Sequence, residues 1–249
     1  MQAFKNASVI SEGGLHVNGL QQHLIGMSGV DIYAKLKDDI LTLKLKPGQM
    51  ISENEVANIY NVSRTPVKNA FLRLKGEKYI EIIPQKGSYV TLLDMKSIKD
   101  IIYMRSVLET DALNSILDMG IASTVLAGLS EILNRQRALI KSGMLTSTSF
   151  YEVDNEFHHR LFTYTGRERL WDVIQDCQVY YARFRLLDTM TTSRYEDLIV
   201  EHERIASALE EQDREALKIS VFDHLHGNIR VLSQKIESEF REYFVQPPY

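Results

Sequence analysis

Hydrophobic positions follow a helical period along most of this chain. Between residues 63 and 78, apolar side chains recur every three or four residues and define one face of a helix. Ser63 is a favourable N-cap for this helix, and Pro66 falls in its first turn, where a missing N–H costs little. Because a solvated amphipathic helix has the same pattern, the flanking segments decide its interpretation. The apolar face consists of Val67, Ala70, Phe71 and Leu74.

The segments before this helix predict two more helices. The first is predicted over 32–43, and Lys46-Pro47-Gly48 then breaks the chain. Ser52-Glu53-Asn54-Glu55 has the form of a capping box and predicts a second helix that ends near Tyr60. Only Asn61-Val62 separates this helix from the third, and so short a turn indicates a helix-turn-helix.

Two β-rich segments follow the third helix, over 79–83 and 88–92, with a Pro/Gly turn between them. This pattern predicts a β-hairpin, and a hairpin after a helix-turn-helix forms a wing. Lys86 at its tip would lie near phosphate, and Gly87 allows close approach of the backbone. A lysine at a hairpin tip is also common for solubility, but its position here favours contact with DNA.

A helix-turn-helix places the amino end of its recognition helix in the major groove, against base edges and phosphates. The residues predicted to contact double-stranded DNA are therefore those that begin the third helix and those at the tip of the wing. They are Ser63, Arg64, Thr65, Lys68, Lys86 and Gly87.

Residues 94–243 contain no proline and have few glycines, which predicts an all-helical bundle. The expected fold is mainly α, with an N-terminal winged helix-turn-helix (three helices plus a β-hairpin wing) and a bundle of six or seven helices. Bundle helices are predicted over 95–119, 123–142, 147–165, 168–189, 194–211 and 213–243. The breaks between them fall at Gly120, Gly143, Gly166, around Thr191-Thr192-Ser193, and at Gln212-Asp213.

The length of 249 residues agrees with two domains of ordinary size. The composition, with 44% apolar and 25% charged residues, is near that of soluble globular proteins. The expected boundaries are 1–30 for an N-terminal extension, 31–93 for the winged helix, 94–243 for the bundle and 244–249 for a tail. No apolar run is long enough to span a membrane, and no signal peptide is recognisable, so we expect a cytoplasmic, nucleoid-associated protein. The single cysteine, Cys177, excludes an internal disulfide and is expected to be packed.

Charge is distributed unevenly along the chain, although the net charge is −4. Residues 31–92 contain ten Lys/Arg and seven Asp/Glu, a net charge of +3. Residues 93–249 contain 18 and 25, a net charge of −7. A mildly basic module followed by an acidic one is expected when only the first module contacts phosphate.

Histidines concentrate in the predicted bundle, where five of the seven lie between His158 and His226. Asp154 and His158 are four residues apart and share one helix face. His202 and His224 lie on consecutive antiparallel helices, about equally far from the turn between them. Both belong to apolar stripes and are expected to point inward. These stripes are Leu198, His202, Ile205 and Leu209 on one helix, and Leu217, Val221, His224 and Val231 on the next.

Three inward histidines and one carboxylate can bind a divalent metal, and this ligand set suits Zn, Ni, Mn or Fe. The alternative is that each histidine is a core residue satisfied by hydrogen bonds. Arg105 also lies on an apolar stripe, and a buried guanidinium needs an anionic partner. That partner could be Glu109, Asp111 or Asp154, or the carboxylate of a bound small molecule.

The segment from about Tyr33 to Leu92 resembles the winged-helix domain of the GntR family of bacterial transcription regulators. The resemblance rests on Pro47-Gly48, Ser52-Glu53, the run from Val62 to Val67, and Lys86-Gly87. It implies that Arg64, Thr65, Lys68 and the wing at Lys86-Gly87 contact DNA. Lys68 stands where the family usually has Arg, and Asn54 stands where many members carry a basic residue.

The second half resembles the effector domain of the FadR subfamily of GntR regulators. The matching motifs are YMRSVLE around Arg105, Asp-x-x-x-His at Asp154, Glu-His at His202 and His-Leu at His224. The resemblance implies a helical bundle in which Asp154, His158, His202 and His224 bind a divalent metal. An organic acid would reach that metal, with Arg105 nearby.

The leading hypothesis is a homodimeric, ligand-responsive transcription regulator, expected to be a repressor, which binds a palindromic operator and a small organic acid. One alternative keeps the regulator and makes the metal purely structural. Another is a metalloenzyme fused to a winged helix, which is disfavoured because no general base or nucleophile motif accompanies the metal set.

Overall fold

The computed structural model describes residues 28–177 and 179–245. Most of the predicted extension (1–30) and of the predicted tail (244–249) lies outside these ranges. The mainly α fold is confirmed, with a three-stranded sheet beside helices of the winged helix-turn-helix, followed by a helical bundle.

The winged-helix unit consists of α1 to α3 and β1 to β3. Helix α1 begins three residues earlier than predicted because the side chain of Ser28 caps it in a capping box with Asp31. At Ser52 the predicted capping box is wrong, since Ser52 occupies the N-cap position but its side chain makes no capping hydrogen bond. The bounds are α1 (Gly29–Leu41), β1 (Met50–Ile51), α2 (Glu53–Ile59), α3 (Arg64–Gly76), β2 (Ile80–Ile83) and β3 (Gly87–Val90).

The sheet has the order β1-β3-β2, and all its pairs are antiparallel. Strands β2 and β3 are the predicted wing, with Ile80 opposite Val90 and Ile83 opposite Gly87. Strand β1 was not predicted because two residues carry no alternation. It forms because Gly48, at φ +79°, turns the chain and donates its N–H to the Val90 carbonyl.

The helical unit contains seven helices in the described ranges. Its predicted breaks are confirmed, since Gly120, Gly143, Gly166, Ser193 and Gln212 all have positive φ. The segment predicted as one helix over 168–189 is helical on both sides of residue 178, and the two parts are labelled α7 and α8. The bounds are α4 (Met95–Asp118), α5 (Ala122–Lys141), α6 (Ser147–Tyr164), α7 (Glu168–Cys177), α8 (Val179–Thr192), α9 (Tyr195–Glu210) and α10 (Arg214–Ser238), followed by a short 3-10 helix (Arg241–Tyr243).

Two details of the predicted core are wrong. Val231, expected on the inner stripe of α10, is 38% exposed, and Leu225 and Leu232 are buried instead. Cys177, expected to be packed, is an exposed free thiol at the end of α7. Among the described helices, none combines the length and apolar character needed to cross a membrane.

Buried apolar side chains form two clusters, one in each unit. Helix α8 belongs to both, because Val179 at its start packs in the winged-helix cluster while Phe184 and Leu187 pack in the helical one. Two residues from the winged-helix side, Leu43 after α1 and Leu93 after β3, are buried in the helical cluster. The two units therefore share a packed boundary, and α8 lies along it.

Candidate metal centre and nucleic-acid interface

The four side chains predicted as metal ligands lie together inside the helical unit. Helix α6 contributes Asp154 and His158, α9 contributes His202, and α10 contributes His224. One nitrogen or carboxylate oxygen from each lies within 4.8 Å of the others. All four residues are at most 1% exposed. The inward orientation predicted from the stripes on α9 and α10 is thus what the structure has.

The Nε2 atoms of the three imidazoles face one another and Asp154. His158 Nε2 lies 3.1 Å from His224 Nε2 and 3.9 Å from Asp154 Oδ2. His202 Nε2 lies 3.6 Å from Asp154 Oδ1. The other two histidines of this region stay apart, since His159 stacks on Trp171 and His226 stacks on Phe222.

Each ring is oriented by an acceptor behind its Nδ1. His158 Nδ1 lies 2.7 Å from Glu109 Oε2, and His224 Nδ1 lies 2.9 Å from Glu201 Oε2. A carboxylate accepts, so each Nδ1 carries a hydrogen, and in the neutral ring Nε2 then presents a lone pair. His202 Nδ1 lies 3.3 Å from the side-chain oxygen of Gln136, which favours the same tautomer. This arrangement orients imidazoles for metal binding.

The cluster contains buried polar atoms that the protein itself does not satisfy. Asp154 Oδ1 and His202 Nε2 have no hydrogen-bond partner. His158 Nε2 and His224 Nε2 lie 3.1 Å apart, and when both rings are neutral with the hydrogen on Nδ1 their lone pairs face each other. Unsatisfied buried acceptors cost free energy, and a cation between them would remove that cost. The donor set therefore fits a divalent metal.

Electrostatics keeps the imidazoles of His158 and His202 neutral and the carboxyl group of Asp154 ionised. Burial, aided by the Arg105 guanidinium, lowers the pKa of His158 well below its usual value. Burial and His224 do the same to the pKa of His202. Burial alone would raise the pKa of Asp154, but the Arg185 guanidinium and the three histidines together outweigh it and hold that pKa well below its usual range. Metal ligation requires these protonation states.

Arg105 is 2% exposed and has a protein partner. Its Nε donates to Glu109 Oε1 at 2.7 Å, and its Nη1 donates to the Tyr181 hydroxyl at 3.0 Å. Of the candidate partners, Glu109 is therefore the one that Arg105 contacts, since Asp111 and Asp154 pair with other arginines. Its Nη2 has no hydrogen-bond partner. One donor of Arg105 thus remains available inside the protein.

Arg185 on α8 was not identified from the sequence, although it contacts the cluster directly. It is 1% exposed, and its Nη2 donates to Asp154 Oδ2 at 2.9 Å. Glu201 and Gln136, which orient the rings, were also missed. The signal for Arg185 was the one that singled out Arg105, an arginine within an apolar run, here Phe184 to Leu187. The ring-orienting residues carry no comparable signal because each is an ordinary polar residue on a helix.

The residues predicted to contact DNA lie at the surface of the winged-helix unit. Ser63, Arg64, Thr65 and Lys68 are exposed at the amino end of α3. Lys86 is exposed in the turn between β2 and β3, and Gly87 is exposed at the start of β3. The Arg64 side chain is 70% exposed and lies 3.7 Å from Glu53. One groove is lined by the start of α2, Arg64 and residues 82–88 of the wing. The wing tip and the start of α3 therefore border a common surface.

An exposed recognition-type helix with a wing, joined to a helical unit with a buried polar centre, defines a DNA-binding regulator. Residues 29–90 match the family described as "Bacterial regulatory proteins, gntR family", and residues 100–227 match the family described as "FCD domain". The chain belongs to the GntR family of bacterial transcription regulators, and its helical unit is an FCD domain. These families and the relatives below are regulators, not enzymes, so the metalloenzyme alternative has no support.

Relatives with curated names agree with this assignment. The HTH-type transcriptional repressor RspR of Escherichia coli K12 is 31% identical over 214 residues, covering 85% of this chain and 92% of RspR. The gluconate operon transcriptional repressor of Bacillus subtilis is 29% identical over 220 residues, covering 84% of this chain and 85% of the repressor. The solved structure of Escherichia coli McbR/YncC has a TM-score of 0.62 at 21% identity, covering 85% and 99% of the two chains, and shows the same fold.

The pKa shifts of His158 and His202 predict a dependence of stability on pH in the metal-free protein. Near the usual histidine pKa of 6.5 the unfolded chain binds protons, whereas the native rings remain neutral. The free energy of unfolding should therefore fall as the pH decreases from about 7.5 to about 5.5, by up to about 1.4 kcal/mol per pH unit for each ring. Thermal melts in EDTA at a series of pH values measure this slope.

Two variants test the assignment of that slope. His202→Gln should reduce it, because one buried ring no longer differs between the native and unfolded states. His226→Gln, which changes a ring outside the cluster, should leave the slope unchanged. A melting temperature that stays constant or rises on acidification would contradict the explanation.

Proposed function

We propose that this protein is a ligand-responsive repressor that acts on chromosomal DNA in the cytoplasm as a homodimer. Its FCD domain would bind a divalent metal through Asp154, His158, His202 and His224, together with a small organic acid. The observation that carries the proposal is the set of three imidazoles whose Nε2 atoms face one carboxylate inside the bundle. This set is kept apart from the DNA-contacting surface, as a sensor site would be.

The donor set supports a metal of the imidazole-preferring class, namely Zn, Ni, Mn or Fe. When bound, the cation would supply a positive centre that attracts the carboxylate of a ligand. The chain's own residues prepare the site, because Glu109, Gln136 and Glu201 hold the rings and Arg185 keeps Asp154 ionised. None of these contacts has to change for the site to accept a cation.

The effector proposal rests on donors that the protein leaves unused. Arg105 Nη2 and the Tyr151 hydroxyl are buried and have no hydrogen-bond partner. Burial raises the pKa of Tyr151, so its hydroxyl keeps its proton and can donate. An arginine and a phenol together suit a carboxylate, and their burial limits the ligand to a small acid. The relative named for the gluconate operon is consistent with an organic acid as effector.

Charge balance supports an anion as well. Arg105 and Arg185 are matched by Glu109 and Asp154 within the buried network. A divalent cation would add two positive charges, and an organic acid would offset part of that excess. The alternative of a purely structural metal leaves the excess charge and the two unused donors without an explanation.

For the DNA-binding surface, Arg64→Met should weaken binding to a fragment of the protein's own promoter by about 1–3 kcal/mol. The reason is that Arg64 is exposed at the start of α3 and borders the groove shared with the wing. Fluorescence anisotropy measures the affinity, and a footprint of two half-sites would indicate a dimer. Lys75→Met removes the same charge from the other end of α3 and serves as the control. Equal affinities for wild type and Arg64→Met would contradict this assignment.

For the metal, the wild-type protein should bind one Zn²⁺ per chain and gain thermal stability. A ligand that binds only the native state at 100 times its Kd stabilises by about 2.7 kcal/mol. A His202→Ala, His224→Ala double variant should lose both the bound metal and the thermal shift, as measured by elemental analysis and melting. His226→Ala should retain both. Undiminished metal content in the double variant would rule out this site.

For the effector, gluconate and other small organic acids should be screened for stabilisation of the metal-loaded protein. Tyr151→Phe should abolish the shift caused by any acid that stabilises the wild type, without lowering basal stability, because its hydroxyl has no protein partner. Tyr195→Phe, which removes a hydroxyl bonded to Ser147, is the matched control and should keep the shift. If no acid stabilises the metal-loaded protein, the structural-metal alternative is favoured.

A further inference from the structure

Helix α8 carries two buried arginines that contact different parts of the molecule. Arg183 and Arg185 are at most 1% exposed. Two positions along an α-helix correspond to a rotation of about 200°, so their side chains leave the helix on opposite sides. One faces the winged-helix unit and the other faces the candidate metal centre.

Arg183 binds the winged-helix unit through Thr91, the residue after β3. Its Nη1 donates to the Thr91 carbonyl at 2.8 Å, and its Nη2 donates to the Thr91 hydroxyl at 3.1 Å. Its Nε donates to the Val179 carbonyl of α8 at 2.9 Å. The Thr91 hydroxyl in turn donates to the Lys78 carbonyl at 2.8 Å. Arg183 is therefore fixed between α8 and both ends of the β2–β3 hairpin.

Arg185 leaves α8 on the opposite side and contacts the candidate metal centre. Its Nη2 donates to Asp154 Oδ2 at 2.9 Å, and its Nη1 lies 3.4 Å from the Tyr181 hydroxyl. Tyr181 also accepts from Arg105. A change in how Asp154 is engaged therefore acts directly on the side chain of Arg185, and a change at Arg105 acts on it through Tyr181.

We propose that Arg183 is the positioning residue through which occupancy of the FCD site sets the placement of the winged helix. The inference rests on the proposed function, since it takes the metal and acid as the input. A ligand that favours one position of Arg185 favours one position of α8, and the Arg183–Thr91 bonds transmit that position to the base of the wing. Coupling of this kind requires only that the ligand bind one arrangement better than the other.

The packing around α8 favours transmission of a helix displacement to the winged-helix unit over its absorption by local relaxation. Along most of its length α8 is buried, including Tyr181, Phe184, Leu186 and Thr189. A packed interior does not absorb a displacement by deforming gradually. Because Val179 at the start of α8 belongs to the apolar cluster of the winged-helix unit, a shift of the helix must also move that contact.

Hydrogen exchange with Zn²⁺ alone as the probe tests this coupling without knowledge of effector or operator. In the full-length wild type, Zn²⁺ should slow exchange near Asp154, His202 and His224. It should also change exchange of the 79–92 hairpin amides, by about five-fold or more. In Arg183→Met the first effect should remain and the second should be lost. Arg183→Lys should restore it in part, because lysine cannot bond both Thr91 atoms as a fork does.

A double-mutant cycle of Arg183 and Arg185 tests the same coupling without any metal. Arg185→Met should alter exchange of the 79–92 amides when Arg183 is present and leave it unaltered in the Arg183→Met background. Arg167→Met, which breaks an ion pair with Asp111 inside the helical unit, is the control and should leave the Zn²⁺ response of the hairpin unchanged.

The outcomes separate the two proposals. If Zn²⁺ protects the FCD amides but the hairpin never responds, or responds equally in Arg183→Met, the coupling is overturned and the metal site stands. If Zn²⁺ protects nothing, the metal proposal fails, and the Arg185 cycle then decides the coupling by itself. Additive effects of the Arg183 and Arg185 substitutions would overturn it.

Discussion

Two buried ion pairs constrain the interior of the helical unit. Arg105 with Glu109, and Arg185 with Asp154, place four charges where almost no surface is exposed. Removing one partner from such a pair typically costs about 3–5 kcal/mol, because the other charge stays buried and unpaired. The Arg185–Asp154 pair ties α8 to α6. The polar interior therefore specifies the arrangement of the bundle as well as its chemistry.

The same two ion pairs also help to set up the histidine cluster for metal binding. Glu109 uses one oxygen for Arg105 and the other for His158, so a single side chain neutralises the arginine and fixes the ring. Arg185 similarly keeps Asp154 ionised while leaving its Oδ1 unsatisfied. Besides the atoms that face the shared centre, the atoms of the described residues left without a hydrogen-bond partner around this network are Arg105 Nη2, Gln136 Nε2, the Tyr151 hydroxyl and Arg194 Nη1. A core evolved only for stability would satisfy those atoms as well.

The sequence predicted the fold well and the centre of the site in part. Periodicity together with Gly120, Gly143 and Gly166 was sufficient for the bundle helices that end at these glycines, because glycine is the residue that most readily adopts the left-handed turn after a helix. The convergence of His202 and His224 followed from helix length and antiparallel connection. Strand β1 could not be predicted, because two residues form a strand only when Val90 is already in place.

The residues that orient the imidazole rings could not be predicted from the sequence for a different reason. Glu201 and Gln136 lie within hydrogen-bond distance of the imidazoles only through tertiary packing, and nothing in their local sequence assigns them this role. Arg185 could have been predicted as a buried arginine with an anionic partner. That prediction would have required the same assumption for every arginine in an apolar run that was made for Arg105. The rule that a buried cation needs an anionic partner identifies candidates, while the choice of partner depends on the fold.

The position of α8 joins the two units more tightly than their separate apolar clusters suggest. A hinge between independent domains would require an exposed linker and a small, polar interface. Here the segment between the sheet and α4 is short, Leu93 is buried in the helical cluster, and Val179 of α8 is buried in the winged-helix cluster. Each unit thus contributes an apolar residue to the core of the other. Reorientation of the winged helix must therefore repack this boundary, so it is expected to switch between discrete packed arrangements instead of moving freely.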